Sequence, residues 1–233
     1  MARTSAGERP LTAGPLSAPI ELTPDLLLKA YAIGVFPMAD SRNADDVFWV
    51  EPDFRGIIPF DRFHAPRSLR KVVRQQRFTV TVDTAFAEVI AACAASAPDR
   101  NNTWINPEIE AAYIGLHRAG HAHSVECWLN GELAGGLYGV RLAGAFFGES
   151  MFSRATDASK VALVHLVHRL NAGGFRLLDT QFLTDHLQRF GALKIPRENY
   201  KRLLAEALAV QADFYSLPND GESSLAQSIT QMS

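Results

Sequence analysis

The chain has 233 residues, 47% hydrophobic and 21% charged, with 23 Lys and Arg against 25 Asp and Glu for a formal net charge of −2. That size and hydrophobicity allow one substantial core or a small-plus-large pair, and the balanced charge excludes a global field for nucleic acid, so any RNA binding has to come from a local basic cluster. No apolar run approaches the roughly 20 residues of a membrane span, and the two cysteines, Cys93 and Cys127, make neither a disulfide framework nor a metal-binding pair, which fits the reduced cytoplasm.

Residues 1–20 hold Arg3, Arg9 and three prolines without a signal-peptide stretch, so a flexible leader is expected there. Thr23 followed by Pro24 starts a helix with Leu27, Ala30 and Tyr31 on one face, and Gly34 stops it. Two short segments, Val47 to Val50 and Arg55 to Ile58, suit a small sheet-containing lobe over residues 21–60. A larger domain is expected over 61–217. It opens with a helix from Ser68 to Gln76 and a strand from Phe78 to Val82, after which Asp83 is expected to cap a helix carrying Phe86, Val89, Ile90 and Cys93. Asn106-Pro107 begins another helix, with Ile109, Ala112, Tyr113 and Leu116 as its buried stripe and Gly120 as its stop.

Three strands follow, Ser124 to Leu129, Leu133 to Leu142 and Ala145 to Phe152, as an antiparallel meander whose Asn130-Gly131 pair predicts a type I′ turn. The glycines within it, Gly135, Gly136, Gly139, Gly144 and Gly148, point to bulges or to a ligand approaching the backbone. Next come a long helix from Ala158 to Leu170, a strand from Phe175 to Gln181 and a short helix closed by Gly191. The resulting fold class is α+β: a small N-terminal lobe and an acetyltransferase-like mixed sheet flanked by helices. Residues 218–233 are rich in Ser and Gln and are expected to form a flexible tail.

Arg67, Arg70, Lys71 and Arg74 recur at i, i+3, i+4 and i+7, with Leu69, Val72 and Val73 on the opposite face. Like charges so placed repel, a cost that a solvated face tolerates and a phosphate backbone removes. In the strand ending at Gln181, the period of two puts Asp179 and Gln181 on the face of Leu177, either as a hydrogen-bonded structural pair or as a proton-handling site. Glu149, in an aromatic-rich strand, poses the same choice. Cys127 has His121 and His123 nearby without a third orienting residue, so packing explains it better than catalysis. No phosphate-binding loop motif is present, and the glycine-free passage Ser153 to Ser159 argues against coenzyme A.

The ordered series Tyr31-Ala-Ile-Gly-Val-Phe-Pro-Met38, Trp49-Val-Glu-Pro52, Phe63-His-Ala-Pro-Arg-Ser-Leu-Arg-Lys71, Thr103-Trp-Ile105, Gly135-Gly-Leu-Tyr-Gly139, Gly148-Glu-Ser-Met-Phe-Ser153 and Asp179-Thr-Gln181 resembles the bacterial leucyl/phenylalanyl-tRNA–protein transferase family. The resemblance implies an enzyme that moves leucine, phenylalanine or, less well, methionine from aminoacyl-tRNA to proteins beginning with Lys or Arg, marking them for degradation by the N-degron (N-end rule) pathway. It also implies a cytoplasmic monomer that uses no cofactor or metal. Carried over by position, Asp179 and Gln181 match a catalytic pair and Glu149 an acidic residue of the amino-acid site. Tyr31, Met38 and Trp104 match positions near the aminoacyl group and terminal adenosine, and Leu137 and Phe146 positions of the side-chain pocket. Arg67, Arg70, Lys71 and Arg74 match the tRNA-binding cluster. Met38 stands where some members have tryptophan, and Leu137 where some have methionine.

Overall fold

The computed structural model describes residues 21–95 and 103–217; the leader and tail expected at 1–20 and 218–233 lie outside them. Helix α1 (Pro24–Ala32) begins at the expected cap, where Thr23 Oγ1 accepts a hydrogen bond from the Leu26 amide at 3.3 Å. A two-stranded ribbon follows, β1 (Phe36–Met38) antiparallel to β2 (Phe48–Val50). Strand β3 (Phe54–Ile57), read from the sequence with the small lobe, instead lies inside the large sheet.

The rest of the chain runs α2 (Arg67–Arg74), β4 (Thr79–Val82), α3 (Phe86–Ala94), α4 (Pro107–Arg118), β5 (Ala122–Leu129), β6 (Glu132–Leu142), β7 (Ala145–Ser153), α5 (Ala158–Ala172), β8 (Leu177–Gln181), α6 (Asp185–Gln188), β9 (Leu193–Pro196) and α7 (Arg197–Leu208). The seven-stranded sheet has the order β4-β5-β6-β7-β8-β3-β9; its pairs are antiparallel except β7 with β8. Strand β9 and helix α7 were not anticipated, because prolines and a run of charged residues mask their pattern.

Helices cover both faces of this mixed sheet, and period-two alternation sends neighbouring side chains into opposite layers. Phe147 and Leu177 enter one core with Leu27, Tyr31, Ile90, Leu116 and Leu204, from α1, α3, α4 and α7. Phe146 and Leu178 enter the other with Leu69, Leu163, Leu166 and Phe214. Each fully buried leucine or phenylalanine stabilises the fold by about 1.5–3 kcal/mol.

The Asn130-Gly131 turn has positive φ at both residues, 54° and 80°, as a type I′ hairpin requires. At Gly135 a Cβ would sit 2.6 Å from the Ala158 Cβ, so there it is α5, and not a ligand, that approaches the strand. Asp83 is not the cap of α3, which starts after Ala85 with no side-chain cap. Instead its carboxylate, at a backbone φ of 58°, accepts from the Ser124 amide and pairs with His123 Nδ1, both at 2.8 Å.

Candidate functional site

Between β1, β6, β7, α5 and the segment from β8 into α6 lies a cavity of about 320 Å³, at the lower end of the range for small-molecule pockets. Its walls are largely apolar: Phe36, Met38, Trp104, Leu137, Met151, Leu163 and Leu166 contribute. Its polar side chains include Glu149, Gln181, Ser150, Thr180, Thr184 and His186.

Two backbone irregularities bring Glu149 and Gln181 together. The β6–β7 register slips between Tyr138 and Gly139: Tyr138 faces Ser150 and Gly139 faces Gly148, so Glu149 is the extra residue of a bulge. A bulge re-aims the side chain it carries. At the end of β8, Gln181 adopts φ 52°, a left-handed conformation that a residue with a Cβ holds only when its surroundings enforce it. The enforcing group is Asp179, whose Oδ1 accepts from the Gln181 amide at 2.8 Å. Gln181 Nε2 then donates to Glu149 Oε1 at 3.0 Å.

Asp179 itself is fully buried. Arg55 donates to it through Nε at 3.0 Å to each oxygen and through Nη2 at 2.7 Å, and Tyr200 Oη adds a fourth donor group at 2.7 Å. The guanidinium lies between the rings of Phe36 and Tyr200, 4.5 and 4.6 Å from their centroids, and Nη1 donates to the Gly34 carbonyl. Burial disfavours the charge on Arg55, but the Asp179 carboxylate outweighs it and shifts the guanidinium pKa upward.

Glu149 accepts from Tyr31 Oη at 2.6 Å and Tyr113 Oη at 3.1 Å as well as from Gln181. Burial raises its pKa first; the bond from Tyr31 opposes this, the charge of Asp179 adds to it, and the net result is about 7.

Among the residues read from the sequence, Glu149, Gln181, Met38, Trp104 and Leu137 line the cavity. Tyr31 is fully buried and reaches the site through Glu149; Asp179 reaches it through Gln181. Phe146 is placed elsewhere, in the α5-side core, stacked on Phe214 with centroids 5.7 Å apart. Arg67, Lys71 and Arg74 are exposed on α2 and Arg70 is half-buried, none paired with a carboxylate among the described residues, while Leu69 and Val73 pack with residues of α5, the helix that supplies Leu163 and Leu166 to the cavity. Burial pushes the Cys127 thiol up to about 12, in keeping with a packing role.

Arg55, Tyr113 and Tyr200 were not anticipated as residues of the site. An arginine inside the apolar run Phe54-Arg-Gly-Ile-Ile58 signals a buried counter-charge, and a tyrosine on a buried helix stripe needs a partner for its hydroxyl, so two of the three were detectable. No helix among the described residues is long and apolar enough to cross a membrane.

An apolar cavity with a carboxyl and an amide converging on it suits an acyl or aminoacyl group presented to a nucleophile. Residues 57–205 match the leucyl/phenylalanyl-tRNA protein transferase family, and residues 20–53 match the N-terminal domain of the same family. Proteins named leucyl/phenylalanyl-tRNA–protein transferase are similar over most of the chain. That of Rhizorhabdus wittichii is 66% identical over 82% of this chain and 77% of its own length. That of Nitrobacter winogradskyi is 62% identical over 88% of this chain and 91% of its own, and that of Maricaulis maris 59% identical over 89% and 96%. The chain belongs to the leucyl/phenylalanyl-tRNA–protein transferase family, a class of aminoacyltransferases.

Proposed function

We propose that the protein transfers leucine or phenylalanine, and less well methionine, from aminoacyl-tRNA to the N-terminal α-amine of proteins beginning with Lys or Arg, marking them for degradation by the N-degron pathway. The observation that carries this reading is the Glu149–Gln181 pair, brought together by a bulge and a left-handed residue at the edge of an apolar cavity.

The aminoacyl ester is already activated, so the reaction needs alignment and proton transfer, with no covalent enzyme nucleophile. An α-amine has an ordinary pKa of about 7.7–8.0, so an appreciable fraction is neutral at physiological pH. Alignment of ester and amine is worth roughly 7–11 kcal/mol, against about 10²- to 10⁴-fold for general acid–base help. In this reading the apolar walls take the donor side chain, Trp104 and Met38 lie against the aminoacyl-adenosine, and Gln181 orients the reacting groups. Asp179 is a positioning residue: fully buried and bonded to Arg55, Tyr200 and the Gln181 amide, it acts through the backbone of Gln181. Because one methylene changes affinity by only about 1–3 kcal/mol, such a pocket rejects charged side chains strongly and separates leucine from phenylalanine weakly. The unpaired cations of α2 contact tRNA phosphates.

The acetyltransferase-like reading of the sheet is supported by the antiparallel meander β5-β6-β7 followed by α5 and the parallel strand β8. Two buried free cysteines accord with a cytoplasmic location, and we take the active species to be a monomer. The test is transfer of labelled leucine from leucyl-tRNA to a reporter protein starting with Arg and to the same protein starting with Ala. Transfer to the first alone is expected; tight tRNA binding without transfer to either refutes the reading.

A further inference from the structure

Tyr31, Tyr113 and Glu149 close a ring of hydrogen bonds. Tyr31 Oη bonds to Glu149 Oε1 and to Tyr113 Oη, and Tyr113 Oη bonds to Glu149 Oε2. Three such contacts need three hydrogens. The phenols supply two, because burial first and then the nearby Glu149 hold both well above the usual tyrosine range and keep them neutral. Were Glu149 ionised, both hydroxyls would point at the carboxylate and the two phenolic oxygens would face each other without a hydrogen. Each phenol bond to Glu149 taken singly favours the carboxylate; the contact between the two phenols is what favours the acid, because only a proton on Glu149 supplies the third hydrogen that lets every oxygen in the ring share one.

We propose that Tyr31 and Tyr113 are positioning residues that hold Glu149 as a neutral carboxylic acid at neutral pH, and that this acid protonates the departing ribose oxygen during transfer. The second half rests on the aminoacyl-transfer reading. The balance is closed: the amine nitrogen bonds to the ester carbon, the carbon–ribose oxygen bond breaks, Glu149 gives its proton to that oxygen, and the proton shed by the amine returns to Glu149. Gln181, whose amide cannot act as a base, holds Oε1 in place. The other groups that bear on Glu149 are Asp179 of β8 and Arg55 of β3, Tyr138 of β6, Tyr200 of α7, and His186 of α6, which lines the same cavity.

The experiment combines infrared difference spectra of the protein against Glu149→Gln, which isolate the carboxylic-acid carbonyl band, with single-turnover transfer at saturating leucyl-tRNA across pH. Tyr113→Phe takes two neutral bonds from the protonated ring; from the ionised form it takes one charge-assisted bond, worth about two neutral ones, but also removes the oxygen–oxygen contact that lacks a hydrogen. The midpoint for loss of the acid band is therefore expected to fall, and a fall of about one unit from about 7 means a roughly fivefold loss of acid at pH 7, with the transfer rate recovering as pH is lowered. If Tyr113 merely donates to a carboxylate, its removal raises the midpoint, and that result overturns the proposal. So does a wild-type protein with no acid band at about pH 6. Glu149→Gln keeps one donor and one acceptor in the ring, and its unchanged circular dichroism is the check that the site stays folded. Wild-type protein that shows the band and its predicted shift but transfers no leucine at any pH overturns the transferase reading and the donor role, while the ring stands.

Discussion

Asp179→Asn exchanges one oxygen for an NH2 group and removes the only charge among the described residues that meets Arg55 at hydrogen-bonding distance. Arg55 is 1% exposed and its partner 0%, so the substitution leaves a guanidinium in the interior without a counter-ion. Two of the four donor groups on the carboxylate belong to Arg55 and one to Tyr200, so an amide nitrogen in place of either oxygen meets a donor and not an acceptor. Removing one partner of a buried pair costs about 3–5 kcal/mol, a large part of the ~5–15 kcal/mol that keeps a domain folded. At about 2–4 °C per kcal/mol for a chain of this size, Tm should fall by roughly 6–20 °C. Thermal unfolding followed by circular dichroism measures it, alongside Arg55→Met and the double variant. The double variant should be no worse than either single one, because the uncompensated charge is then gone. A loss below about 1 kcal/mol for Asp179→Asn, or strictly additive losses in the cycle, would refute the picture of a dry, mutually dependent pair. At a temperature where Asp179→Asn is still folded, its transfer rate should fall with Gln181→Ala, and combining the two should add little, because both act through Gln181.

Glu149 gives a pH prediction. Its pKa is about 7 when folded against 4.5 for the ordinary side chain, so the folded state holds the proton more tightly. The resulting stability is fully present below about pH 4.5 and is lost as pH rises through about 7, by at most about 3 kcal/mol, less because the side chain opens onto the cavity and water there screens it. Glu149→Gln should therefore flatten the decline between those pH values and be the more stable protein at about pH 8; a variant with the wild-type pH slope would contradict this. Lys71→Ala with Arg74→Ala should lower the slope of log affinity for tRNA against log salt by about 1.5 in binding titrations, leaving single-turnover rates at saturating tRNA intact. At Gly56 an added Cβ would lie 2.7 Å from the Phe182 carbonyl carbon and 2.8 Å from the Leu183 nitrogen, both backbone. Gly56→Ala should displace the segment that brings Phe182 and Thr184 to the cavity and reduce kcat/KM for leucyl-tRNA while costing only about 1–3 kcal/mol in Tm measurements.

Local chemistry wrote much of this protein into its sequence. The caps at Thr23 and Asn106, the Asn130-Gly131 hairpin, the alternation that splits Phe146 from Phe147, and the apolar face of the basic helix all depend on neighbours a few residues apart, and period and turn chemistry are enough to find them. The ordered motifs named the family in the same way. What sequence could not supply is long-range pairing. Strand β3 joins the large sheet only because β8 and β9 flank it, 120 or more residues later, and Arg55 meets Asp179 across 124 positions. Asp83 looked like a helix cap until its carboxylate turned to β5, 40 residues on. Phe146 has the size for a pocket wall and shares a core with Leu163 and Leu166, but there it stacks on Phe214 and does not line the cavity. Glu149 could be singled out as a carboxylate in an apolar strand, yet its direction is set by a one-residue register slip, and its hydrogen-bond partners include two tyrosines from separate helices. The types of residue at the site were visible in one dimension; their contacts and charge states depend on desolvation and on partners that only the folded chain brings within reach.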